Sequence, residues 1–174
     1  QNRSEGTVRA LLGKELMTEN GLLTEQGSST FWDRSTLYAL RGIYIAGQAD
    51  RATEFLSHYA RRRLLGDHVP YPIEAWPEGS QRHLAAESGL FCRVITEGLF
   101  GIRPTGFRSF DLTPSMPSGW NRMALRHIRA FENNFDLVIE KQPDGFLRVT
   151  LAISGRNPRA FRLRQGASLR IKLP

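Results

Sequence analysis

Apolar residues recur at helical spacing up to about residue 104 and at alternate positions beyond it. The first period is that of helices with one buried face, the second that of half-buried strands. Val8, Leu11, Leu12 and Leu16 form one stripe and predict a helix over 5–17. The Gly-, Ser- and Thr-rich stretch ENGLLTEQGSST then reads as a loop. Ser29 or Thr30 offers an N-cap for a second helix over 31–46, with Trp32, Leu37, Leu40, Ile43 and Tyr44 on its apolar faces and Gly47 beyond its end. Asp50 opens a third helix, through Leu65, with Ala52, Phe55, Leu56 and Tyr59 inward and Gly66 as its stop. A Pro-rich loop over 67–82 leads to a fourth helix over 83–99, striped by Leu84, Phe91, Ile95 and Leu99.

Past Arg103 six segments alternate: Phe107–Leu112, Met123–Phe131, Phe135–Lys141, Phe146–Ser154, Arg159–Arg164 and Ser168–Leu173. Pro143-Asp144-Gly145 supplies a hairpin turn between two of them. Strands without intervening helices predict an antiparallel sandwich, or part of one. The expected fold class is therefore α+β. A helical region, 1–104, made of αα-hairpins, precedes a β-domain over 105–174. Two consecutive αα-hairpins are what a slice of a larger helical barrel looks like, and such a slice is expected to expose an apolar inner face and self-associate.

At 174 residues, 40% of them hydrophobic, the composition is ordinary for a globular protein. No apolar run approaches the ~20 residues of a membrane span, so none is expected. The start QNRSEGTVRA lacks both an initiating Met and a signal-peptide pattern, which reads as a processed product or a fragment. Cys92 is the single cysteine, which excludes an internal disulfide; its helical, apolar setting predicts a buried thiol. The net charge is +7, and all but Lys14, Lys141 and Lys172 of the 24 basic residues are arginines. They are scattered from Arg3 to Arg170, and the one run, Arg61-Arg62-Arg63, sits in the last turn of a predicted helix, where cations favour the dipole. Nucleic acid is accordingly not the expected partner.

The candidate chemistry lies in and around the 67–82 loop. Glu74 stands between Pro72 and Pro77, two residues before Trp76. Arg82-His83 enters the fourth helix, and Glu87 falls on its apolar face, an unusual place for an acid. Glu74 reads either as a held carboxylate or as a solvated loop acid. Glu87 reads either as a buried ion pair with Arg82 or Arg34, or as a ligand-facing group. Arg82 and His83 serve either helix entry or hydroxyl binding. Trp32 and Trp76 are sugar platforms or core residues. Asp33 and Arg34, opening the second helix, are a first-turn acid and its neighbour, or ligand contacts. His58, His68 and His127 share no ligand spacing, so no metal and no other cofactor is expected. Phe131, Phe135, Phe146 and Phe161 read as core of the β-domain.

From about residue 19 to 140 the chain resembles the C-terminal part of six-hairpin, (α/α)6-barrel glycosidases, the α-L-rhamnosidase-like and glucosidase-like members above all. The resemblance is carried by Phe31-Trp32-Asp33-Arg34 at a helix head and by Glu74 before Trp76. It continues in Ser80-Gln81-Arg82-His83 at the entry of the last barrel helix, in Gly101-Ile102-Arg103-Pro104 after it, and in Leu112-Thr113-Pro114, Gly119-Trp120 and Leu125–Arg129 beyond. Where the rhamnosidase pattern usually has Trp directly before the glutamate, this chain has Ile73, so the reaction class is implied rather than the sugar. The resemblance implies hydrolysis of an oligosaccharide or glycoside, with inversion. Glu74 would be the general base, Trp76 a platform, and Arg82, His83, Glu87, Trp32, Asp33 and Arg34 the binding shell. It also implies a general acid on the remaining N-terminal part of the barrel, and a periplasmic or extracellular setting. Inverting glycosidases hold their two carboxyls about 6.5–9.5 Å apart, leaving room for a water. The alternative is a non-catalytic carbohydrate-binding or interaction module.

Overall fold

Leu37, Leu40, Ile43 and Tyr44 repeat at three- and four-residue spacing, and in the folded chain all four are removed from solvent. The structure is a computed structural model describing residues 3–18, 21–23, 29–64, 71–76, 84–130 and 132–174; for Arg62, Arg63 and Trp76 the backbone alone is described. Among the described residues the protein is mixed α+β, with four α-helices and antiparallel sheets. No helix among them is long and apolar enough to cross a membrane. The chain divides into two compact units, Gln1–Leu99 and Phe100–Pro174.

The first unit begins with α1 (Arg3–Leu11), which buries no residue. It stops short of the predicted Met17. Gly13 turns the chain, and β1 (Met17–Thr18) instead pairs with β2 (Gly21–Leu22). Then come β3 (Phe31–Trp32), α2 (Asp33–Ile45) and α3 (Ala49–Tyr59), the last running into a π-helical turn, Ala60–Leu64. β4 (Ala75–Trp76) precedes α4 (Ala85–Arg93), which runs into a second π-helical turn, Val94–Leu99. Neither Ser29 nor Thr30 caps α2. Phe31 and Trp32 are held in a strand pairing with β4, so the helix starts at Asp33 with Trp32 as its N-cap. The arginine run lies in the first π-helical turn rather than an α-helical end.

α2 is the hub of this unit, packing against α3, α4 and the second π-helical turn. Its approach to that turn is close at Gly98, where a Cβ would meet the Tyr44 ring at 3.1 Å and the Arg41 Cα at 3.5 Å. Tyr44 is bound to α3 through a 2.8 Å hydrogen bond between its hydroxyl and Thr53 Oγ1. Burial pushes the Tyr44 phenol above its ordinary pKa, opposed by that bond. The buried stripe of α4 is Glu87, Leu90 and, one turn on, Val94. Of the predicted stripe of Leu84, Phe91, Ile95 and Leu99 only Leu99 is buried, and the change of phase puts Cys92 in solvent rather than in the core.

The second unit holds a three-stranded and a four-stranded antiparallel sheet. The first is built from β5 (Ile102–Gly106), β6 (Ser109–Leu112) and β11 (Leu169–Lys172), in the order β11-β6-β5. The second holds β7 (Arg122–Ala130), β8 (Asn133–Lys141), β9 (Phe146–Ile153) and β10 (Arg159–Arg164), in the order β10-β9-β8-β7. β5 was not expected, because Pro104 and Gly101 read as the phrase that ends a helix. It is an edge strand, the one place in a sheet where a proline is readily borne. Gly101 is required here: its φ is +67°, and a Cβ would lie 1.9 Å from the Thr113 carbonyl oxygen. The expected turn forms at Asp144-Gly145. The Gly145 amide donates to the Gln142 carbonyl at 3.0 Å, and the Phe146 amide to Asp144 Oδ1 at 3.0 Å.

Strand alternation sets the core of this unit: Phe135, Leu137 and Ile139 on β8, and Leu147, Val149, Leu151 and Ile153 on β9, are buried. The Phe135 ring stacks on Phe110 of β6, centroids 6.1 Å apart. Phe146 and Phe161, expected in the core, are only half-buried, each with an arginine over its ring. Phe131 lies outside the described residues. β7 is bulged between Leu125 and Ile128, where His127 takes a φ of +55° and its amide donates to Asp136 Oδ1 at 2.8 Å.

Candidate functional site

Antiparallel pairing of Phe31 with Trp76 and of Trp32 with Ala75 lays the Glu74 segment along the start of α2. Asp33 fixes this junction twice. Its amide donates to the Glu74 carbonyl at 3.1 Å, and its Oδ2 accepts from the Ile73 amide at 2.8 Å. A first-turn carboxylate ordinarily serves its own helix end. Here it is 1% exposed and binds the backbone of a segment forty residues on, so Asp33 holds the loop rather than facing solvent. That role leaves no trace in the spacing of the sequence.

Arg34 follows on α2 and reaches α4. Its Nε donates to Glu87 Oε1 at 2.7 Å and its second terminal nitrogen lies 2.6 Å from the same oxygen. Of the two partners open in the sequence, Arg34 is the one found; Arg82, with His83, lies outside the described residues. Glu87 is fully buried while the Arg34 side chain is 53% exposed, so one end of the pair is dry and the other wet. Both short contacts land on one oxygen. Glu87 Oε2 is buried with no hydrogen-bond partner among the described residues. Such an atom ordinarily has a partner in a folded protein, and an orphan marks strain, a working position or a place for an ordered water or ion.

Glu74 itself is half-buried, and its carboxylate forms no hydrogen bond or ion pair among the described residues. Its backbone is held by Asp33 while its side chain is uncommitted. Trp32 is 39% exposed, so part of its ring is open to a ligand. Trp76 enters only through its backbone pairing with Phe31.

No family model, curated protein or solved structure matches this chain. The functional reading thus rests on the site and on the resemblance carried by the sequence motifs. Thus Glu74, Asp33, Arg34 and Glu87 are linked through consecutive backbone and side-chain contacts, with Trp32 beside them in the ladder. One supporting residue escaped the sequence reading. Thr36 is buried on α2 and donates to the Leu22 carbonyl at 3.4 Å, tying β2 to the same helix end. Its position three residues after Asp33 on the inward stripe was the available signal. Among the described residues no group of histidine, cysteine and acidic side chains could hold a metal ion.

Proposed function

We propose that this chain is the C-terminal part of a glycoside hydrolase that cleaves oligosaccharides by general acid/base catalysis with inversion. Glu74 is its general base. The observation that carries the reading is the contrast between Glu74 and the other acids around it. Asp33 and Glu87 are buried and engaged, whereas Glu74 has a fixed backbone and a partly exposed carboxylate uncommitted among the described residues. A general base needs that combination: position, and freedom to take a proton from water. Trp32 and Trp76 are then aromatic platforms for pyranose rings. Arg34 donates to sugar hydroxyls from its exposed side while Glu87 holds its other, and Arg82 and His83 complete the binding shell.

In this reading the helical unit is a slice of an (α/α)6 barrel and the two sheets form a sandwich-like domain. The general acid comes from a barrel hairpin beyond these 174 residues. Tyr38 and Ile45, 52% and 62% exposed, lie on the outer stripe of α2, where further barrel helices would cover them. A second reading, a carbohydrate-binding module without catalysis, is favoured by one observation: of the acids linked through Asp33 and Arg34, only Glu74 is uncommitted among the described residues, half of what hydrolysis requires.

The test is hydrolysis of a panel of aryl glycosides by the parent polypeptide, wild type against Glu74→Gln. The expected result is a loss of about 10²-fold or more in turnover with substrate binding retained. Unchanged turnover removes Glu74 from the chemistry. A wild-type parent that binds glycosides and cleaves none establishes the binding-module reading instead.

A further inference from the structure

A cavity of about 780 Å³ opens in the second unit, where β9 turns into β10 beside the end of β11. Its lining joins Ile153 and Leu173, both buried, to Arg156, Asn157, Arg159, Lys172 and Pro174, all exposed. The local sequence explains the convergence. Gly155, at φ +74°, reverses the chain after β9, and the Arg156 amide closes the turn on the Ile153 carbonyl at 3.0 Å. Arg159 then opens β10 and reaches across to the other sheet, donating to the Lys172 carbonyl at 3.0 Å. Its guanidinium also lies over the Phe161 ring, 5.7 Å from the centroid. Both contacts hold that planar donor fork in place with several N–H groups still free.

No acidic side chain lines the cavity; Pro174, the last of the 174 residues, also lines it, so in this chain one terminal carboxylate stands against three cations. Arg156, Arg159 and Lys172 form no ion pair among the described residues, whereas Arg103, Arg122, Arg126, Arg162 and Arg170 of the same unit each face a carboxylate. Like charges gathered at one concavity raise its potential and draw in an anion. The volume falls within the roughly 300–1,000 Å³ of small-molecule sites. The donors match a tetrahedral oxyanion: a guanidinium fork, an ammonium and the Asn157 amide. We propose that this cavity binds a small ligand bearing a polyvalent oxyanion, a phosphate- or sulfate-substituted molecule whose body rests on Ile153 and Leu173. The site is independent of Glu74 and of any hydrolytic activity.

Titration of the 174-residue chain with pyrophosphate and, separately, with inorganic sulfate tests this, read by calorimetry and by amide chemical shifts. The expected result is saturable binding with shifts confined to residues 153–159 and 172–173. Arg159→Gln, Arg156→Gln and Lys172→Gln should each weaken it about tenfold, the value of one charge-assisted hydrogen bond. Arg148→Gln, an exposed cation elsewhere on the same unit, should leave it unchanged. Tighter pyrophosphate binding assigns a phosphorylated ligand, and tighter sulfate binding a sulfated one. Absence of saturation with both probes at millimolar concentration overturns the proposal. So does equal weakening by Arg148→Gln, which would mean diffuse attraction to a basic surface.

Discussion

The two units solve the burial of polar groups in different ways. Among the described residues the first unit hides Asp33, Thr36, Thr53 and Glu87, three of them at or near the start of α2 or bound to it, while the second hides only Asp111, at 8% exposure. Burying a charge is costly unless it is paired and hydrogen-bonded. A fold that gathers such costs at one helix end gains a defined geometry there rather than stability. The sheet unit keeps Asp136 and Asp144 nearer the surface, each beside one arginine, and meets its one buried acid, Asp111, with two largely exposed ones, Arg103 and Arg170. The difference teaches where to look for function in each: in the first unit at a fixed polar junction, in the second at surface cations left without partners.

The comparison breaks most sharply at Gly101. Gly101→Ala forces a Cβ into the Thr113 backbone at a positive φ, where the atoms it meets are backbone rather than a flexible side chain. A loss of at least about 4 kcal/mol is expected, confined to the second unit. Residue-resolved hydrogen exchange reads this as lost protection in β5 and β6; unaltered protection there would refute the close approach.

Next in size is Arg34→Ala. It leaves Glu87 as an uncompensated buried carboxylate and should cost the first unit about 2–3 kcal/mol in chemical denaturation, somewhat less than a pair buried at both ends. The double variant Arg34→Met with Glu87→Met should recover most of the loss, since apolar replacement of a buried pair is close to neutral. If the double variant is as unstable as the single one, the pair is not what sets the cost.

The smallest effect is in pH. In the second unit, hydrogen bonding lowers three carboxyl pKa values: from Arg170 to Asp111, from the His127 amide to Asp136, and from the Phe146 amide to Asp144. Groups with depressed folded pKa values contribute stability that is present above their unfolded values, near ~3.9, and lost as pH falls through the folded ones. In the first unit, burial raises the Tyr44 pKa. That contribution is full below the unfolded value of about 10 and is lost as pH rises through the folded one. The sheet unit should therefore weaken on the acid side and the helical unit on the alkaline side, seen as opposite shifts in unit-resolved melting between about pH 3 and pH 10.5. Parallel loss in both units at either extreme would remove the distinction.

Much of this was legible in the chain. The helices, most strands and the Asp144-Gly145 turn follow from periodicity and turn chemistry, which are local. The candidate site was legible in part: Glu74, Trp32, Arg34 and Glu87 stand out in the sequence, and the Arg34–Glu87 pair was one of two open possibilities. The role of Asp33 was not legible, because its partner is an amide forty residues away, and every residue has an amide. The cationic cavity was missed for the same reason: Arg156, Arg159 and Lys172 are unremarkable in sequence and meet only because a turn and a strand end meet.

The sequence alone determined that strands follow helices past about residue 100, which faces of α2, α3, β8 and β9 are apolar, and that Glu74 stands on a Pro-flanked segment, since backbone propensity and side-chain period act over a few residues. Only the tertiary structure decided that Phe31–Trp32 is strand rather than helix, that Cys92 faces solvent, that Glu87 is dry and that Glu74 is half-buried. Those outcomes depend on which backbone amide or distant charge each residue meets, and no local pattern encodes that meeting.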